Sequence, residues 1–248
     1  MSKVWQGISK YQSLILIAVL WQIVAMTHLF PEQLFPDLKI IFTSLIELFV
    51  SSNLWTNISV TLYRILGGFF LAALIGVPIG IFMSRSTVFD NIMQPIFTAG
   101  YPIPRVAIYP IIVLLFGLGS ASKIFIIFLE CIFPIVVNTY YGAKRVDRLH
   151  IWSGKNMGAN DRQLFWKVFI PGTMPAIFTG FRIALPIAVV IAVLTEMISS
   201  SNGIGYLLTY LSASLSQSKV LAAVIIVSTL GYLLDRLLLF IRKKFVYW

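Results

Sequence analysis

Long apolar stretches separated by short polar segments are the main pattern of this chain. A charge-free stretch of about 20 residues is enough to cross a bilayer core of about 30 Å. Such stretches, with few or no charges, cover residues 11–30, 65–84, 124–143, 175–199 and 220–241. Glu130 interrupts the third, and Arg182 and Glu196 lie in the fourth. Each stretch is predicted to be a membrane-spanning helix.

A further apolar segment, residues 88–118, is interrupted by prolines. As one helix it would be about 46 Å long, too long for a single straight span. Pro95, Pro102, Pro104 and Pro110 also argue against an unbroken helix, because proline lacks the N–H that a helix interior needs. The segment is therefore either two crossings or one broken crossing.

Basic residues decide between these topologies, because cytoplasmic segments carry an excess of Lys and Arg. Lys3 and Lys10 place the N-terminus inside, and residues 242–244 place the C-terminus inside. The loop at 144–167 carries six basic residues and is also cytoplasmic. Two inner termini require an even number of spans. The prediction is therefore six transmembrane helices in an all-α integral membrane fold, with 88–118 as one broken crossing.

Two other segments, 31–63 and 199–218, are placed by this topology. Residues 31–63 are predicted outside, with 40–50 lying along the membrane interface. Residues 199–218 are predicted to be outside or to dip back into the membrane. The apolar stretch at 11–30 resembles a signal sequence, but no small-residue cleavage site follows it, so it is predicted to be an uncleaved first span.

Composition narrows the function classes. Hydrophobic residues make up 58% of the 248 residues and charged residues only 11%, against about 25% charged in soluble domains. The net charge of +10 does not indicate nucleic-acid binding, because the basic residues lie between apolar runs, where membrane topology places them. One cysteine, Cys131, and two distant histidines provide no disulfide and no metal cluster.

The cytoplasmic loop from 142 to 171 is the patterned one. Asn160 or Asp161 is a candidate cap for a short helix that ends near Phe169. Leu164 and Val168 share a face of that helix at i, i+4 spacing. Before it, residues 157–159 form a compact, weakly polar knuckle that suits docking into a groove on a partner.

This loop resembles the coupling loop of binding-protein-dependent ABC importer permeases. The family signature is Glu-Ala-Ala, three residues, Gly, nine residues, then Ile-x-Leu-Pro. Gly158, Val168, Ile170 and Pro171 match its second half in register, but Trp152 stands where the family has Glu. By this resemblance the ATPase-coupling residues are Trp152, Ser153, Gly154, Met157, Gly158, Ala159, Asn160 and Pro171.

The resemblance extends over roughly residues 55–240 and is to the sulfonate, taurine and nitrate permease branch. The matching residues include Thr61, Arg64, Gly67, Gly68, Gly76, Pro78, Gly80, Pro102, Pro104, Arg105, Pro110, Gly117, Gly119, Lys123, Asn138, Gly142, Gly180, Arg182, Glu196, Gly203 and Gly205. They occur in the order that this branch has.

The resemblance implies a type I importer permease, with residues 1–248 as one transmembrane domain in a bacterial inner membrane. It also implies the partners: a second copy of the permease in a homodimer, two ABC ATPase subunits, an extracytoplasmic substrate-binding protein and membrane lipid. ATP and Mg would be bound by the partner ATPase, since this sequence has no phosphate-binding loop and no catalytic or metal residues are assigned.

Three charged residues are candidates for the translocation pathway or its gates: Arg105, Glu130 and Glu196. Arg105 either attracts a passing anion or serves as an interfacial anchor or a partner for an acid such as Glu130. Glu130 is a pathway residue or a structural carboxylate bonded within the bundle. Glu196 belongs to an outer gate, contacts the binding protein, or is a hydrated interfacial residue.

Two other function classes are weaker. A secondary transporter or channel would be expected to have coupling charges in several spans and repeated halves, and neither is evident. An intramembrane hydrolase would need a nucleophile with a base or a metal cluster. The substrate is not readable from the permease; the branch suggests small anions such as sulfonates, taurine, nitrate or bicarbonate, and thiamine-precursor-type solutes stay as an alternative.

Overall fold

The computed structural model describes residues 3–27, 29, 31 and 34–246, and the side chains of residues 3–11 and 14 lie outside that description. Within this part the chain is helical and has no strand, so the all-α prediction is confirmed. Lys3 and Lys10, on which the predicted orientation of the N-terminus rests, have side chains outside the described residues.

The helices follow the chain in a simple order. They are α1 (Lys3–Met26), α2 (Leu38–Val50), α3 (Ser52–Arg85), α4 (Thr87–Gly100), α5 (Tyr109–Phe116), α6 (Ser120–Lys144), α7 (Arg148–Asn156), α8 (Asp161–Leu164), α9 (Ile170–Ser199), α10 (Ile204–Ala213) and α11 (Gln217–Phe245). A 3₁₀ turn, Arg105–Ile108, precedes α5, and a π-helical turn, Phe165–Phe169, joins α8 to α9.

Four continuous helices of the described part are long and apolar enough to cross a membrane: α3, α6, Asp161–Ser199 and α11. The bent pair Thr87–Gly100 and Arg105–Phe116 adds a fifth span if it is one crossing. The predicted first span at 11–30 falls on α1, whose described apolar part, Ile15–Met26, is too short to count by itself. The described residues thus support up to five spans where six are predicted.

The bent pair is one broken crossing, as the contacts at its two ends show. Asp90 near the start of α4 accepts hydrogen bonds from Tyr140 (2.7 Å) and Lys144 (2.9 Å), at the C-terminal end of α6. Phe116 at the end of α5 stacks on Phe125, near the N-terminal end of α6. The segment therefore passes from one end of α6 to the other, with a bend of 86° between its helices.

Helix α6 is the centre of the bundle and packs along both α3 and α9. Its Ile126, Ile127, Ile135 and Val136 are fully buried, and inside a bilayer such side chains stabilise the bundle through close van der Waals packing. Small residues let α3 approach closely: a Cβ at Gly80 would lie 2.7 Å from the Cβ of Thr139. The apolar core thus fixes these three helices relative to one another.

The two ends of the bundle differ. The end with α7 and α8, here called the loop end, also receives the last residues of α3 and α6 and the end of α11, since Phe245 stacks on Phe178 at 6.2 Å. The loop and the C-terminal helix therefore end on the same side. At the opposite end, here called the Glu196 end, the predicted turn at 199–218 contains α10, whose Ile204, Leu207 and Leu211 are buried.

Candidate functional site

Helix α7 begins the loop, and the sequence reasoning missed it. The Asp147 side chain caps its N-terminus by accepting from the Leu149 N–H at 2.8 Å. The signature positions Trp152, Ser153 and Gly154 therefore lie on a helix. This helix faces outward with apolar side chains, so its periodicity does not point to a core within this chain.

Gly158 ends α7. Its N–H donates to the Lys155 carbonyl at 2.9 Å, and the Ala159 N–H donates to the Gly154 carbonyl at 3.0 Å. These two bonds are the Schellman pattern of a helix C-terminus, which requires a left-handed residue at the position of Gly158. Its φ is +81°, a conformation that glycine adopts without steric cost. The signature glycine is thus explained by the turn that separates α7 from α8.

Asn160 begins α8, which decides between the two predicted caps. Its side chain accepts from the Gln163 N–H, and the Gln163 side chain accepts from the Asn160 N–H, both at 2.9 Å. This reciprocal pair is a capping box. The prediction that the helix ends near Phe169 is wrong, because it continues through the π-helical turn into α9 without a break.

Pro171 accounts for the π-helical turn. A proline within a helix cannot donate to the carbonyl four residues earlier, and its ring crowds that carbonyl. Widening the helix just before the proline relieves this conflict, and such insertions are frequent at functional positions. Asp161–Ser199 is therefore one continuous element, so a displacement of the loop is passed directly to a membrane-spanning helix.

The two helices of the loop pack on each other at a small residue. A Cβ at Gly154 would lie 2.6 Å from Leu164 Cδ2, so α7 approaches α8 as closely as a glycine permits. Leu164 is only 6% exposed as a result. The angle between α7 and the long helix is held by this contact together with the turn at Gly158.

Three large apolar side chains of α7 and its turn point away from the protein. Leu149 is 62% exposed, Trp152 58% and Met157 86%. We call these three residues the loop patch. Leu149 and Trp152 are three residues apart and share a helix face. A short helix that presents apolar side chains in this way suits insertion into a groove on a partner.

Arg85, the last residue of α3, connects the loop to a second spanning helix. Its guanidinium lies 5.1 Å from the ring centres of both Phe165 and Phe169 in the π-helical turn. The two rings stack on each other at 5.8 Å. The sequence offers no signal for this contact, because Arg85 reads as an ordinary basic residue at the end of a span.

Arg105 and Glu130 are brought together at the break between α4 and α5. Arg105 donates to Glu130 Oε2 from Nη2 at 3.0 Å and from Nε at 3.2 Å. Its remaining Nη1 donates to the Gly100 carbonyl at 3.0 Å, at the end of α4. Its guanidinium also lies 4.1 Å from the centre of the Phe133 ring. Of the predicted alternatives, the structure shows Arg105 as the partner of Glu130.

Glu196 lies apart from these two residues, and its reading as a hydrated interfacial residue is wrong. It is fully buried and receives Arg64 Nη1 at 2.8 Å. Thr61 Oγ1 donates to the same carboxylate, and the Gly205 N–H donates to it at 3.0 Å. The position near the end of a span suggested water, but a distant arginine covers the carboxylate instead.

The Glu196 cluster joins three elements at its end of the bundle. Arg64 also donates from Nε to Ser120 Oγ at 3.1 Å and from Nη1 to the Asn202 carbonyl at 3.0 Å. Buried Lys123 donates to the Ser199 carbonyl at 2.9 Å. Each of these contacts satisfies a polar group that would be costly to bury alone. The cluster holds α3, α6 and the α9–α10 turn in register.

Comparison with known proteins adds a consistent result. The model of the family described as binding-protein-dependent transport system inner membrane component matches residues 76–247. The chain is 34% identical over 238 residues to a putative ABC transporter permease protein of Methanocaldococcus jannaschii, covering 94% of this chain and 89% of the relative.

Two further relatives carry substrate names. The formylaminopyrimidine transport permease protein of Halalkalibacterium halodurans is 32% identical over 251 residues, which cover 98% of this chain and 100% of the relative. The taurine transport system permease protein of Escherichia coli is 29% identical over 241 residues, which cover 95% and 88%.

Proposed function

Because this chain belongs to the family of binding-protein-dependent transport system inner membrane components, we propose that its loop patch docks a cytoplasmic ABC ATPase subunit. The chain is the translocation subunit of an ATP-driven importer. The whole chain acts as one transmembrane domain, pairs with a second copy, and receives its solute from an extracytoplasmic binding protein. The loop end and both termini then face the cytoplasm of a bacterial cell.

The observation that carries the docking proposal is the exposure of Leu149, Trp152 and Met157 on a helix that is rigidly joined to the bundle. An apolar surface of this kind on an otherwise basic loop is typical of a binding site. The loop is joined to α9 by continuous helix and to α3 by Arg85, so closure of two ATPase subunits would move two spanning helices together. ATP and Mg are bound, and ATP is hydrolysed, by those subunits, and the permease itself is not catalytic.

The missing acid of the family signature is compatible with this docking. Trp152 stands where the family has Glu, and its ring is one of the three members of the loop patch. An exposed aromatic side chain provides a large apolar contact, of the kind that dominates binding energy in interfaces. We infer that docking here rests on apolar burial where relatives have an ion pair.

The substrate is proposed to be a small solute, with sulfonate-like organic anions as first candidates. The support is the similarity to permeases named for taurine and for aliphatic sulfonates. A formylaminopyrimidine-like heterocycle is the second candidate, from the similarity to a permease of that name. Arg105 adds less to the anion argument than the sequence suggests, because Glu130 neutralises it.

The test is purification of the tagged protein from detergent-solubilised native membranes, followed by mass spectrometry and an ATPase assay. The expected result is a co-purifying nucleotide-binding subunit with ATP hydrolysis. The variant Trp152→Ser should reduce the amount of this subunit several-fold, whereas Trp55→Ser, which changes another exposed tryptophan outside the loop, should not. A homo-oligomer without an ATPase subunit would overturn the proposal in favour of an ATP-independent transporter.

A further inference from the structure

Helix α4 carries a stripe of polar side chains that its own bundle does not cover. Gln94, Thr98 and Tyr101 follow one another at i, i+4 and i+7, so they share one face. All three are exposed, and within the described part of the chain the side chains of Gln94 and Thr98 form no hydrogen bond. Polar side chains in a membrane-spanning segment face a protein interior or a water-filled cavity, because lipid cannot satisfy them.

A cavity of about 350 Å³ lies beside this stripe, between α4 and α6. It is lined by Met83, Gln94, Phe97, Thr98, Tyr101, Pro102, Val136, Val137, Tyr140 and Tyr141. Four of these side chains are aromatic, and the polar ones are few. A mostly apolar wall with a small number of placed hydrogen-bonding groups is the usual composition of a small-molecule site.

The cavity is electrically neutral. None of its described lining residues carries a charge. The two cations beside the wall are both paired. Lys144 lies 4.3 Å from the centre of the Tyr140 ring and bonds Asp90 at 2.9 Å. Arg105 lies behind Phe133, whose ring centre is 5.1 Å from that of Phe97 and 4.1 Å from the guanidinium. That guanidinium is in turn bonded to Glu130. A bare inorganic anion would lose its hydration here without gaining a counter-charge, whereas an organic body would be stabilised by the aromatic wall.

We propose that this cavity is a solute subsite of the translocation pathway, in which Gln94 and Thr98 hydrogen-bond the polar group of a small organic solute. The subsite selects organic solutes over inorganic anions such as nitrate and bicarbonate. This inference rests on the proposed function, because a solute passes through the protein only if the protein is a permease.

The first test measures whether water reaches position 98, and it does not require transport. Thr98→Cys and, as matched control, Thr229→Cys are reconstituted in vesicles and treated with a membrane-impermeant, positively charged methanethiosulfonate reagent. Thr229 is exposed on α11 beside exposed Ile225 and Leu233, a face suited to lipid. Unlike Thr98, it needs no outside partner there, because its hydroxyl donates to the Ile225 carbonyl at 2.8 Å. Cys131 is fully buried, so the unmodified protein is the blank. We expect Thr98→Cys to react at least about tenfold faster; equal rates would overturn the proposal.

The second test measures solute selectivity in the complex of the permease with its co-purifying ATPase subunit. Uptake of an aminoethanesulfonate, an aminopyrimidine and nitrate is measured for the wild type, Thr98→Val, Gln94→Leu and Thr229→Val. Loss of one hydrogen bond should raise the KM for the organic solute about fivefold in the first two variants and leave Thr229→Val unchanged. Efficient nitrate uptake, or a KM insensitive to both changes, would contradict the proposal.

The two tests separate this inference from the proposed function. Fast labelling of Thr98→Cys in a protein that recruits no ATPase would support a water-filled cavity and contradict the importer. Recruitment of the ATPase together with slow labelling would support the importer and overturn the subsite.

Discussion

The guanidinium of Arg85 lies 5.1 Å from the centre of the Phe165 ring and thereby joins the last residue of one spanning helix to the loop. The ring belongs to the π-helical turn that continues into α9. A force applied to the loop patch therefore reaches α3 and α9 at the same point. This contact is the best candidate in the described structure for transmitting ATPase closure to the pathway.

Arg85→Gln is expected to uncouple transport from hydrolysis. A cation over an aromatic ring contributes about 0.5–2 kcal/mol, so loss of the charge over two rings should lower solute uptake per ATP hydrolysed by about tenfold. Arg85→Lys should retain part of the coupling. Both quantities are measured in proteoliposomes that contain the complete complex.

The matched control is Arg236→Gln, because the Arg236 guanidinium lies 4.8 Å from the Tyr232 ring on α11, outside the loop contact. Its coupling ratio should equal that of the wild type. If the two glutamine variants lose the same amount of coupling, the effect comes from a general loss of charge and the role of Arg85 is disproved.

Local sequence signals predicted the local structure well. Apolar stretches located α3, α6, α9 and α11, and the candidate caps Asn160 and Asp161 located the start of α8. These succeed because a span and a helix cap are each specified within about 20 neighbouring residues. The break in the crossing also followed from local information, namely the prolines at 102 and 104, whereas the choice of one crossing rested on basic residues at both ends of the chain.

Contacts between distant segments could not be predicted. The reading of Glu196 as a hydrated interfacial residue is wrong because its partner, Arg64, is 132 residues away and no local pattern joins them. Helix α7 was missed for a different reason: it has only nine residues, and its apolar Leu149 and Trp152 face outward instead of packing on a core of this chain.

The effect of a substitution at Gly158 should depend on whether the new residue adopts a positive φ, and not on the size of its side chain. Its φ is +81°, and a Cβ there would meet no atom within 4 Å. Gly158→Ala should therefore destabilise the turn by about 1–2 kcal/mol and lower ATPase recruitment, while Gly158→Asn, which tolerates this conformation, should retain more. Gly158→Glu should insert normally and fail to couple, because it adds a charge beside the apolar loop patch in addition to the backbone cost.

Gly119 is the matched control, because it separates the effect of backbone conformation from that of an added side chain. Gly119 also has open space for a Cβ, but its φ is −69°, which any residue adopts. Gly119→Ala should recruit the ATPase at the wild-type level. Recruitment is measured by the yield of ATPase subunit per permease after purification. Wild-type recruitment by Gly158→Ala would show that the turn does not depend on glycine.

The pair of Arg105 and Glu130 should behave as a unit. Arg105→Gln alone leaves the charge of Glu130 without a counter-charge inside the membrane. Glu130→Gln alone does the same to the charge of Arg105. Removing one partner of a buried pair costs about 3–5 kcal/mol, whereas the double variant loses both charges together. We expect each single variant to melt well below the wild type in detergent and the double variant to recover most of this loss.

Transport by the double variant then separates the two roles of the pair. If the pair only fixes the break between α4 and α5, the double variant, once its stability is recovered, should transport at a rate close to that of the wild type. Recovered stability with uptake still about tenfold lower would assign Arg105 to the pathway. A double variant less stable than both single variants would contradict the pairing itself.

Glu196→Gln is expected to be among the most destabilising isosteric changes in the described chain. It removes the negative charge from a fully buried site and leaves the Arg64 guanidinium, whose side chain is 3% exposed, without a counter-charge. The expected loss in free energy of unfolding is about 3 kcal/mol or more. Glu47→Gln is the control, since Glu47 pairs with Lys219 at 3.1 Å but its side chain is 62% exposed, and such pairs contribute about 0–1 kcal/mol.

Thermal melting of Glu196→Gln and Glu47→Gln in the same detergent tests whether the buried pair contributes more stability than the exposed pair. Uptake at low temperature, normalised to folded protein, tests whether Glu196 has a structural or a gating role. A structural Glu196 predicts a large drop in melting temperature with near-normal uptake by the molecules that remain folded, because the carboxylate is buried and bonded to Thr61, Arg64 and Gly205. A gate residue predicts the reverse, a small drop in melting temperature with a large loss of uptake. The enclosure of the carboxylate by two side chains of α3 and a backbone N–H of α10 makes the first outcome the expected one, and the second would return Glu196 to the pathway.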